Sequence, residues 1–355
     1  LATEAGKIAF ELYDTYGIPW GLTKDWCDVH GLKLSREEFE RRLSEQKIRS
    51  KSLSAMKGDV FSSGSIDYGV KETEFLGYGD FSVKAKILKL FTGEKEVEKI
   101  NKSGEAVIIL DKTVFYPESG GQIGDTGELS DGKNRFEVLD TKKSGNVILH
   151  IGKVNAGSFK KSGLISAKIN KERRMDVAKN HTATHLLQAA LRKVLGAHVQ
   201  QQGSMVAQDK LRFDFTHFKD ITQDELGRIE ETVNAYISAK YPVNKQQMDL
   251  AQAKNSGALA FFSEKYADKV RVVSAGDFSK ELCGGTHIEN TSEIALFKIT
   301  HEGSVASGVR RIEAATGNSA YDLVKEEKKI LLDVSKFLNV PVQNLTQELE
   351  KKSAL

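Results

Sequence analysis

The spacing of hydrophobic residues changes along the chain and divides it into regions. Over residues 1–55, apolar side chains recur every three or four positions, which predicts helices. Between Phe81 and Ile169 they alternate with polar residues in short runs separated by glycines, which predicts strands. Residues 171–317 carry both patterns. The chain is therefore predicted to fold as an α+β protein with more than one domain.

Five segments follow from these patterns. A stretch rich in serine, glycine and lysine is interpreted as a linker between the first helices and the strands. The strands predict a small antiparallel β-barrel that carries a glycine-rich loop, and the mixed region predicts helices laid on an antiparallel sheet. A charged amphipathic stretch, interrupted near Pro341, comes last. The segments are helices 1–55, linker 56–79, barrel 80–170, α+β core 171–317 and terminal helices 318–355.

Two motifs, far apart in the sequence, carry the most specific chemistry. His181 and His185 are four residues apart in a predicted helix, so both imidazoles extend from one face. Cys283 and His287 belong to a glycine-containing CGGTH turn. Either motif alone is weak, because paired histidines on a long helix are often surface or core residues. Together they form a nitrogen and sulfur set suited to one tetrahedral zinc ion.

A second candidate is the glycine-rich stretch that contains Gly120, Gly121 and Gln122. Its glycines permit a positive φ and a close approach of the backbone to another molecule. We interpret it as a loop that closes over a bound substrate. On its own, such a stretch is more often only a tight turn.

Basic residues cluster before and after the HxxxH helix. Arg212 lies on a predicted strand after it, and Arg310 and Arg311 come near the end of the core. Positive charge on both sides of a metal motif suits a polyanion, and arginine can bind phosphate with two hydrogen bonds. The alternative is a solvated surface on which these arginines pair with acidic residues.

The composition is that of a soluble globular protein, with 39% hydrophobic and 28% charged residues in 355. The net charge of +3 does not by itself indicate nucleic acid, and Cys27 and Cys283 do not make a disulfide framework. No apolar run is long enough to span a membrane, and no segment resembles a signal peptide, so we expect a cytoplasmic protein. Because the chain opens on Leu1 and ends within charged helical sequence, we also expect it to be a piece of a longer protein.

Taken together, the motifs resemble the alanyl-tRNA synthetase family, and specifically its editing region. They occur in the family's order and cover most of the chain. Residues 1–55 look like the end of the tRNA-recognition region, and residues 318–355 look like the helical start of the C-terminal region. The matching stretches are Asp14-Thr15-Tyr16-Gly17, Gly120-Gly121-Gln122, His181-Thr182-Ala183-Thr184-His185, Leu211-Arg212-Phe213-Asp214-Phe215, Cys283-Gly284-Gly285-Thr286-His287 and Gly308-Val309-Arg310-Arg311-Ile312.

The resemblance implies a proofreading hydrolase that cleaves the ester of mischarged Ser-tRNA(Ala) and Gly-tRNA(Ala). The partner would be the acceptor end of tRNA(Ala), and oligomerisation, if any, would use parts C-terminal to this chain. No stretch resembles the ATP-binding aminoacylation domain, so the chain is not expected to charge tRNA. By family position, one zinc ion would be held by His181, His185, Cys283 and His287. Catalytic roles fall to Gln201 and Cys283, and substrate or tRNA contacts to Thr182, Thr184, Gly120, Gly121, Gln122, Arg212, Arg310 and Arg311. For the two threonines, which lie beside the ligands, a structural role is an equal alternative.

Two matters stay open at the level of sequence. Four protein ligands close a tetrahedron, which is typical of structural zinc, and no Asp or Glu next to the motifs is an obvious general base. The metal would then either gain an open position when substrate binds or only organise the pocket around a positioned water. The pattern also allows a zinc-stapled tRNA-binding module without catalysis, or a metal-dependent hydrolase of small esters or amides.

Overall fold

The computed structural model describes residues 6–12, 20–42, 68–101, 104–260 and 268–353. The Asp14-Thr15-Tyr16-Gly17 motif and the first part of the predicted linker lie outside these ranges. The first helix with defined bounds is α1 (Trp20–Val29), in the region for which the sequence predicts helices.

A closed antiparallel barrel follows, as the alternating pattern predicts. Neighbouring strands pair in the order β2-β5-β9-β8-β7-β11, and β11 closes the ring by pairing with β2, with Ile165 opposite Ala85. Alternate residues point inwards and fill the interior, among them Ile108 and Phe136, which are fully buried. The strands are β1 (Glu74–Phe75), β2 (Ser82–Thr92), β3 (Lys95–Glu96), β4 (Lys99–Asn101), β5 (Glu105–Leu110), β6 (Lys112–Thr113), β7 (Gly127–Ser130), β8 (Arg135–Ser144), β9 (Val147–Ala156), β10 (Ser158–Lys160) and β11 (Leu164–Ile169).

Residues 68–79 pack against the barrel, and so differ from the loosely packed linker that the sequence predicts there. Strand β1 pairs in parallel with β6. The Thr73 hydroxyl donates to the Leu110 carbonyl at 3.1 Å and accepts from the Ile148 amide at 3.2 Å. Hydrogen bonds to two barrel strands hold this segment, and local sequence composition does not reveal such long-range contacts.

The second region confirms the prediction of helices on antiparallel sheets. Strands pair as β12-β13-β18-β17 in one sheet and as β14-β15-β16 in another. Helices α2 and α3 share one buried core with these strands. The elements are α2 (Lys171–Leu195), β12 (Gln201–Val206), β13 (Leu211–Thr216), α3 (Gln223–Ser238), β14 (Val243–Asp249), α4 (Leu250–Asn255), β15 (Lys269–Ala275), β16 (Ser279–Leu282), a 3-10 helix (Thr291–Ile294), β17 (Phe297–Ala306) and β18 (Val309–Thr316).

Helix α5 (Gly317–Leu338) and helix α6 (Leu345–Ser353) follow, separated by a short break that includes Pro341. The break matches the interruption predicted from the sequence. Within the described ranges, no helix is long and apolar enough to cross a membrane.

A buried ion pair fastens the start of α2 to the barrel. The Arg174 guanidinium, 3% exposed, binds the Asp125 carboxylate and donates to the carbonyls of Gly77 at 2.7 Å and Val114 at 2.8 Å. Because Asp125 belongs to the glycine-rich stretch, the pair sets that stretch directly against the helix that carries His181 and His185.

Candidate metal centre

Four side chains from two distant stretches meet beside α2. One ligand atom from each of His181, His185, Cys283 and His287 lies within 4.8 Å of all the others. The Cys283 Sγ is 3.4 Å from His181 Nε2 and 3.3 Å from His287 Nε2. Sulfur and nitrogen ligands of one tetrahedral zinc ion lie about 3.5 Å apart, given the usual bond lengths. The convergence of these four residues, expected from the two motifs, is confirmed.

Local geometry explains why the two stretches can meet. Residues four apart on α2 put two imidazoles on one face, and the CGGTH turn leaves the end of β16 and crosses that face. A Cβ on Gly285 would lie 2.0 Å from the His181 Cε1 atom. Only glycine therefore allows the turn to approach the helix this closely.

The ring of His181 is held by Gln122, which is fully buried. The Gln122 Oε1 lies 2.7 Å from His181 Nδ1 and accepts from the Thr286 amide at 2.9 Å. The Gln122 Nε2 donates to the Thr286 hydroxyl at 2.9 Å, which fixes the orientation of the amide. Because an amide oxygen only accepts, His181 Nδ1 carries the proton, and its Nε2 presents a lone pair to Cys283.

The ring of His287 is held in the same way by a threonine. The Thr182 hydroxyl lies 2.9 Å from the Ala178 carbonyl, to which it donates, and 3.0 Å from His287 Nδ1. Since its one proton goes to the carbonyl, it accepts from Nδ1, and His287 Nε2 also presents a lone pair.

The third ring, His185, faces an acid that the sequence analysis missed. Its Nδ1 lies 3.3 Å from a carboxylate oxygen of Glu281, within ion-pair range but without hydrogen-bond geometry, and both side chains are almost fully buried. His181 and His287 thus turn Nδ1 to an oxygen and leave Nε2 for the cluster, which is the usual arrangement around histidine ligands. Glu281 could have been found from the sequence, because it lies two residues before Cys283, and side chains two apart in an extended segment point to the same face.

Burial sets the protonation of the ligands. It lowers the pKa of His181 to about 3 and holds the pKa values of His185 and His287 well below their usual range, so all three rings are neutral at pH 7. Burial also raises the pKa of the Cys283 thiol to about 12 and that of Glu281 to about 8. Neutral imidazoles with unpaired nitrogens, together with a thiol that a cation can deprotonate, fit a zinc ion.

Two more residues brace the CGGTH turn and were also missed. The Arg271 guanidinium donates to the carbonyls of Cys283 at 2.9 Å and Gly285 at 2.8 Å, and it lies 4.3 Å from the centre of the Tyr78 ring. The Tyr78 hydroxyl donates to the Gly284 carbonyl at 2.6 Å. No motif marks either residue, because both act on backbone carbonyls from other segments.

The glycine-rich loop lies inside the site. Gly121 has a φ of +84°, and a Cβ there would lie 2.4 Å from the Ser204 carbonyl oxygen, so glycine lets the loop pack on β12. Gln122 bridges to Val206 on the same strand. This placement gives Gln122 contacts with His181 and Thr286, whereas the sequence predicts a loop that closes over substrate.

The predicted residues Gln201, Thr184 and Gly120 are not among the four clustered ligands. Gln201 is on β12, half-buried, with its amide 3.2 Å from the Ser204 hydroxyl. Within the described residues, no hydrogen bond joins Gln201 to the four ligands. Thr184 donates to the Asn180 carbonyl one turn earlier, so its hydroxyl is used within α2. Gly120 sits at the exposed tip of the loop with a φ of +58°.

The three arginines predicted to contact tRNA lie near acidic side chains. Arg310 binds Glu302 through two nitrogens and Asp220 through the third. Arg311 makes two hydrogen bonds to Asp214, at 2.7 and 2.8 Å, and Arg212 lies 3.9 Å from the same carboxylate. These contacts correspond to the alternative in which the arginines pair with acidic residues, and the Arg310–Glu302 pair is largely buried.

Two cavities lie on either side of Tyr78. One, of about 270 Å³, is bordered by His287, Thr286, Arg271 and Lys245, and so reaches the candidate metal centre. The other, of about 400 Å³, is bordered by Gly284 and by aromatic residues of the barrel.

Comparison with known proteins relates both halves of the chain to synthetases. Residues 2–173 match the family model described as tRNA synthetases class II (A), and residues 270–313 match the threonyl and alanyl tRNA synthetase second additional domain. The chain is 45% identical to an alanine–tRNA ligase of Haemophilus influenzae strain Rd over 98% of its own length and 39% of that protein. It is 44% identical to an alanine–tRNA ligase of Legionella pneumophila strain Corby over 98% of its length and 40% of that protein.

The class II match corrects one expectation. The sequence motifs predict a piece without the aminoacylation domain, whereas residues 2–173 match the model of class II (A) tRNA synthetases. The correct statement is the broader one, that the chain is related to ligases and not only to an editing region. It spans about two fifths of the length of the curated relatives it matches. By these matches the chain is similar to class II (A) tRNA synthetases over residues 2–173 and to alanine–tRNA ligases over most of its length.

Proposed function

We propose that the centre formed by His181, His185, Cys283 and His287 binds one zinc ion and hydrolyses the ester of mischarged Ser-tRNA(Ala) and Gly-tRNA(Ala). The observation that carries the proposal is the convergence of four ligand atoms, with the His181 and His287 rings held so that Nε2 is available. The match of residues 270–313 to a synthetase second additional domain supports it.

A separate hydrolytic site answers a physical need of an alanine-specific synthetase. An alanine pocket excludes neither the smaller glycine nor serine, which adds one hydroxyl, by more than about 1–3 kcal/mol. A second site that acts on the ester after transfer removes these errors. The cavity of about 270 Å³ that reaches His287 has room for such small side chains.

The protein's own residues orient the centre. Zinc, when bound, would supply a positive charge that orients and polarises the amino-acid end of the substrate. Gln122 and Thr182 fix the rings of His181 and His287, and Glu281 faces the ring of His185. Arg271 holds the turn that carries Cys283. We assign Gln201 to shaping the amino-acid pocket or placing the attacking water, and Cys283 to the metal.

One observation favours a second candidate. Four protein ligands close a tetrahedron, and closed zinc sites are usually structural. A zinc-stapled tRNA-binding module would bind tRNA in a strongly salt-dependent manner without cleaving the ester.

Replacing each cysteine in turn separates the two candidates. Cys283→Ala should lower both zinc affinity and deacylation of Ser-tRNA(Ala), whereas Cys27→Ala, which changes the other free cysteine, should retain both. Zinc content and ester cleavage would be measured on the same samples. Full activity with zinc retained in Cys283→Ala would remove Cys283 from the site. Tight tRNA binding without cleavage by the unmodified chain would favour the binding module.

A further inference from the structure

The larger of the two cavities beside Tyr78 lies next to the candidate metal centre, and one side of it is aromatic. It has a volume of about 400 Å³, and the carbonyl-bearing residue Gly284, which follows Cys283 directly, forms part of its wall. Phe75, Tyr78 and Tyr116 supply aromatic walls on the barrel side. A pocket of this volume falls within the usual range for small ligands.

The aromatic walls form a fixed platform. The Phe75 ring packs edge-to-face with Tyr78, with centroids 5.0 Å apart, and with Tyr116, with centroids 6.0 Å apart. The Tyr116 hydroxyl donates to the Ser119 carbonyl at 3.3 Å, and the Tyr78 hydroxyl donates to Gly284. Because both hydroxyls are engaged, the rings cannot swing aside without breaking hydrogen bonds.

The opening of the cavity carries polar groups that suit a nucleotide. Lys143 and Asn146 are exposed and line it together with Ser119. Within the described residues, Lys143 has no acidic partner, in contrast to its neighbour Lys142, which pairs with Glu118. An unpaired ammonium beside an aromatic pocket is the combination that binds single-stranded nucleic acid, where bases stack and phosphates pair with cations.

We propose that this cavity binds the terminal adenosine of the tRNA acceptor strand, with its base against the aromatic walls and its phosphate near Lys143. The proposal rests on the proposed function, because it places the nucleoside whose ribose carries the ester. The base is one sugar away from that ester, and the cavity is one residue away from Cys283. A base here therefore leaves the ester beside the metal centre.

Binding of AMP to the whole zinc-loaded chain tests the proposal without requiring catalysis. AMP should bind, and ribose 5-phosphate, which lacks the base, should bind about ten-fold more weakly or not at all. Phe75→Leu should weaken AMP binding about ten-fold, since it removes one ring of the platform. Phe337→Leu, which makes the same change at an exposed position, should leave AMP binding unchanged.

A charge variant at the surface gives a second measure that does not disturb the core. Lys143→Ala should weaken AMP binding several-fold and reduce its salt dependence, whereas Lys133→Ala, at an exposed position on another hairpin, should do neither. The proposal is overturned if AMP does not bind, or if the Lys143 and Phe75 variants bind AMP as tightly as their controls do.

Kinetics then distinguish a failure of this inference from a failure of the proposed function. The Phe75 and Lys143 variants should raise KM for Ser-tRNA(Ala), keep kcat and retain zinc. If the unmodified chain cleaves the ester and the variants match their controls, the cavity assignment is wrong. If AMP binding follows the variants but the unmodified chain cleaves nothing, the cavity assignment holds and the proposed hydrolysis is wrong.

Discussion

Buried histidines occur in both halves of the molecule, and they differ in how their ring nitrogens are used. In the barrel, His150 is fully buried; its Nδ1 lies 3.0 Å from the Ile108 carbonyl and its Nε2 lies 2.7 Å from the Thr113 hydroxyl. On α2, the Nδ1 of His181 donates to Gln122, and its Nε2 faces the cluster. Both ring nitrogens of His150 have hydrogen-bond partners within the barrel, whereas His181 has one nitrogen available for a ligand.

The difference shows how a structural histidine can be told from a binding one. Burial is similar at both positions and lowers the pKa of each ring, to about 4 for His150 and about 3 for His181. The two kinds of histidine differ in one ring nitrogen. In the metal cluster, this nitrogen has neither a backbone nor a hydroxyl partner and faces the Cys283 thiol instead. A buried polar atom left in this way costs free energy unless something binds it.

The largest effect is expected from removing one open nitrogen. His181→Ala should abolish tight zinc binding and lower deacylation of Ser-tRNA(Ala) at least about 100-fold, because a metal ligand is lost. His150→Gln should leave both properties intact, since that ring has no part in the centre. Zinc analysis and a single-turnover assay on both variants check this. Equal loss in the two variants would contradict the distinction between the histidines.

The barrel histidine should instead govern stability at acid pH. The pKa of His150 in the folded chain is about 4, below the ordinary value of 6.5. Between these pH values the imidazole is protonated in the unfolded chain but not in the folded one. The free energy of unfolding should therefore fall as pH drops from 6.5 to 4, by roughly 3 kcal/mol from this residue, and should not depend on it above pH 6.5. Denaturant unfolding of the unmodified chain and of His150→Gln across this range measures the difference in slope. Parallel slopes would show that His150 is not held neutral.

A smaller loss of zinc affinity is expected when Gln122, which orients the His181 ring, is replaced. Gln122→Ala should weaken zinc binding about 10–100-fold while some activity remains at saturating zinc, as is usual when a partner of a ligand is removed. Gln246→Ala, at an exposed position, is the matched control. If Gln122→Ala lowered turnover at full zinc occupancy and left zinc affinity unchanged, Gln122 would act on substrate, as the sequence analysis predicted.

The smallest effect is expected at the paired arginines. All three side-chain nitrogens of Arg310 bind carboxylates, so Arg310→Ala should change tRNA affinity less than about two-fold, and chiefly lower stability. Filter binding at several salt concentrations would measure it. A clear fall in the salt dependence of binding would restore Arg310 to the tRNA-contacting surface.

The sequence predicted what depends on local spacing. The HxxxH helix follows from Leu187, Ala190 and Leu191 on one face. The Thr222 and Glu225 pair has the spacing of a capping box, and it forms one at the start of α3. The barrel follows from alternation and glycine punctuation. Each of these signals lies within a few residues, where the periods of helix and strand act directly.

What the sequence did not predict depends on segments that meet only in the fold. Gln122 reaches His181 across 59 residues, and Tyr78 reaches Gly284 across 206. Arg271 acts on backbone carbonyls, which carry no sequence signature. The assignment of Arg310 and Arg311 to tRNA rests on charge and on family position, and neither shows whether a carboxylate lies opposite.

The measurement that tests the central claim most directly is deacylation of Ser-tRNA(Ala) beside Ala-tRNA(Ala), with the chain stripped of metal and then reloaded with zinc. We expect rapid loss of serine but not of alanine, abolished by stripping and restored by zinc. Serine release that persists without metal, or that never occurs although zinc binds to the four residues, would contradict the account of this centre as a zinc-dependent editing site.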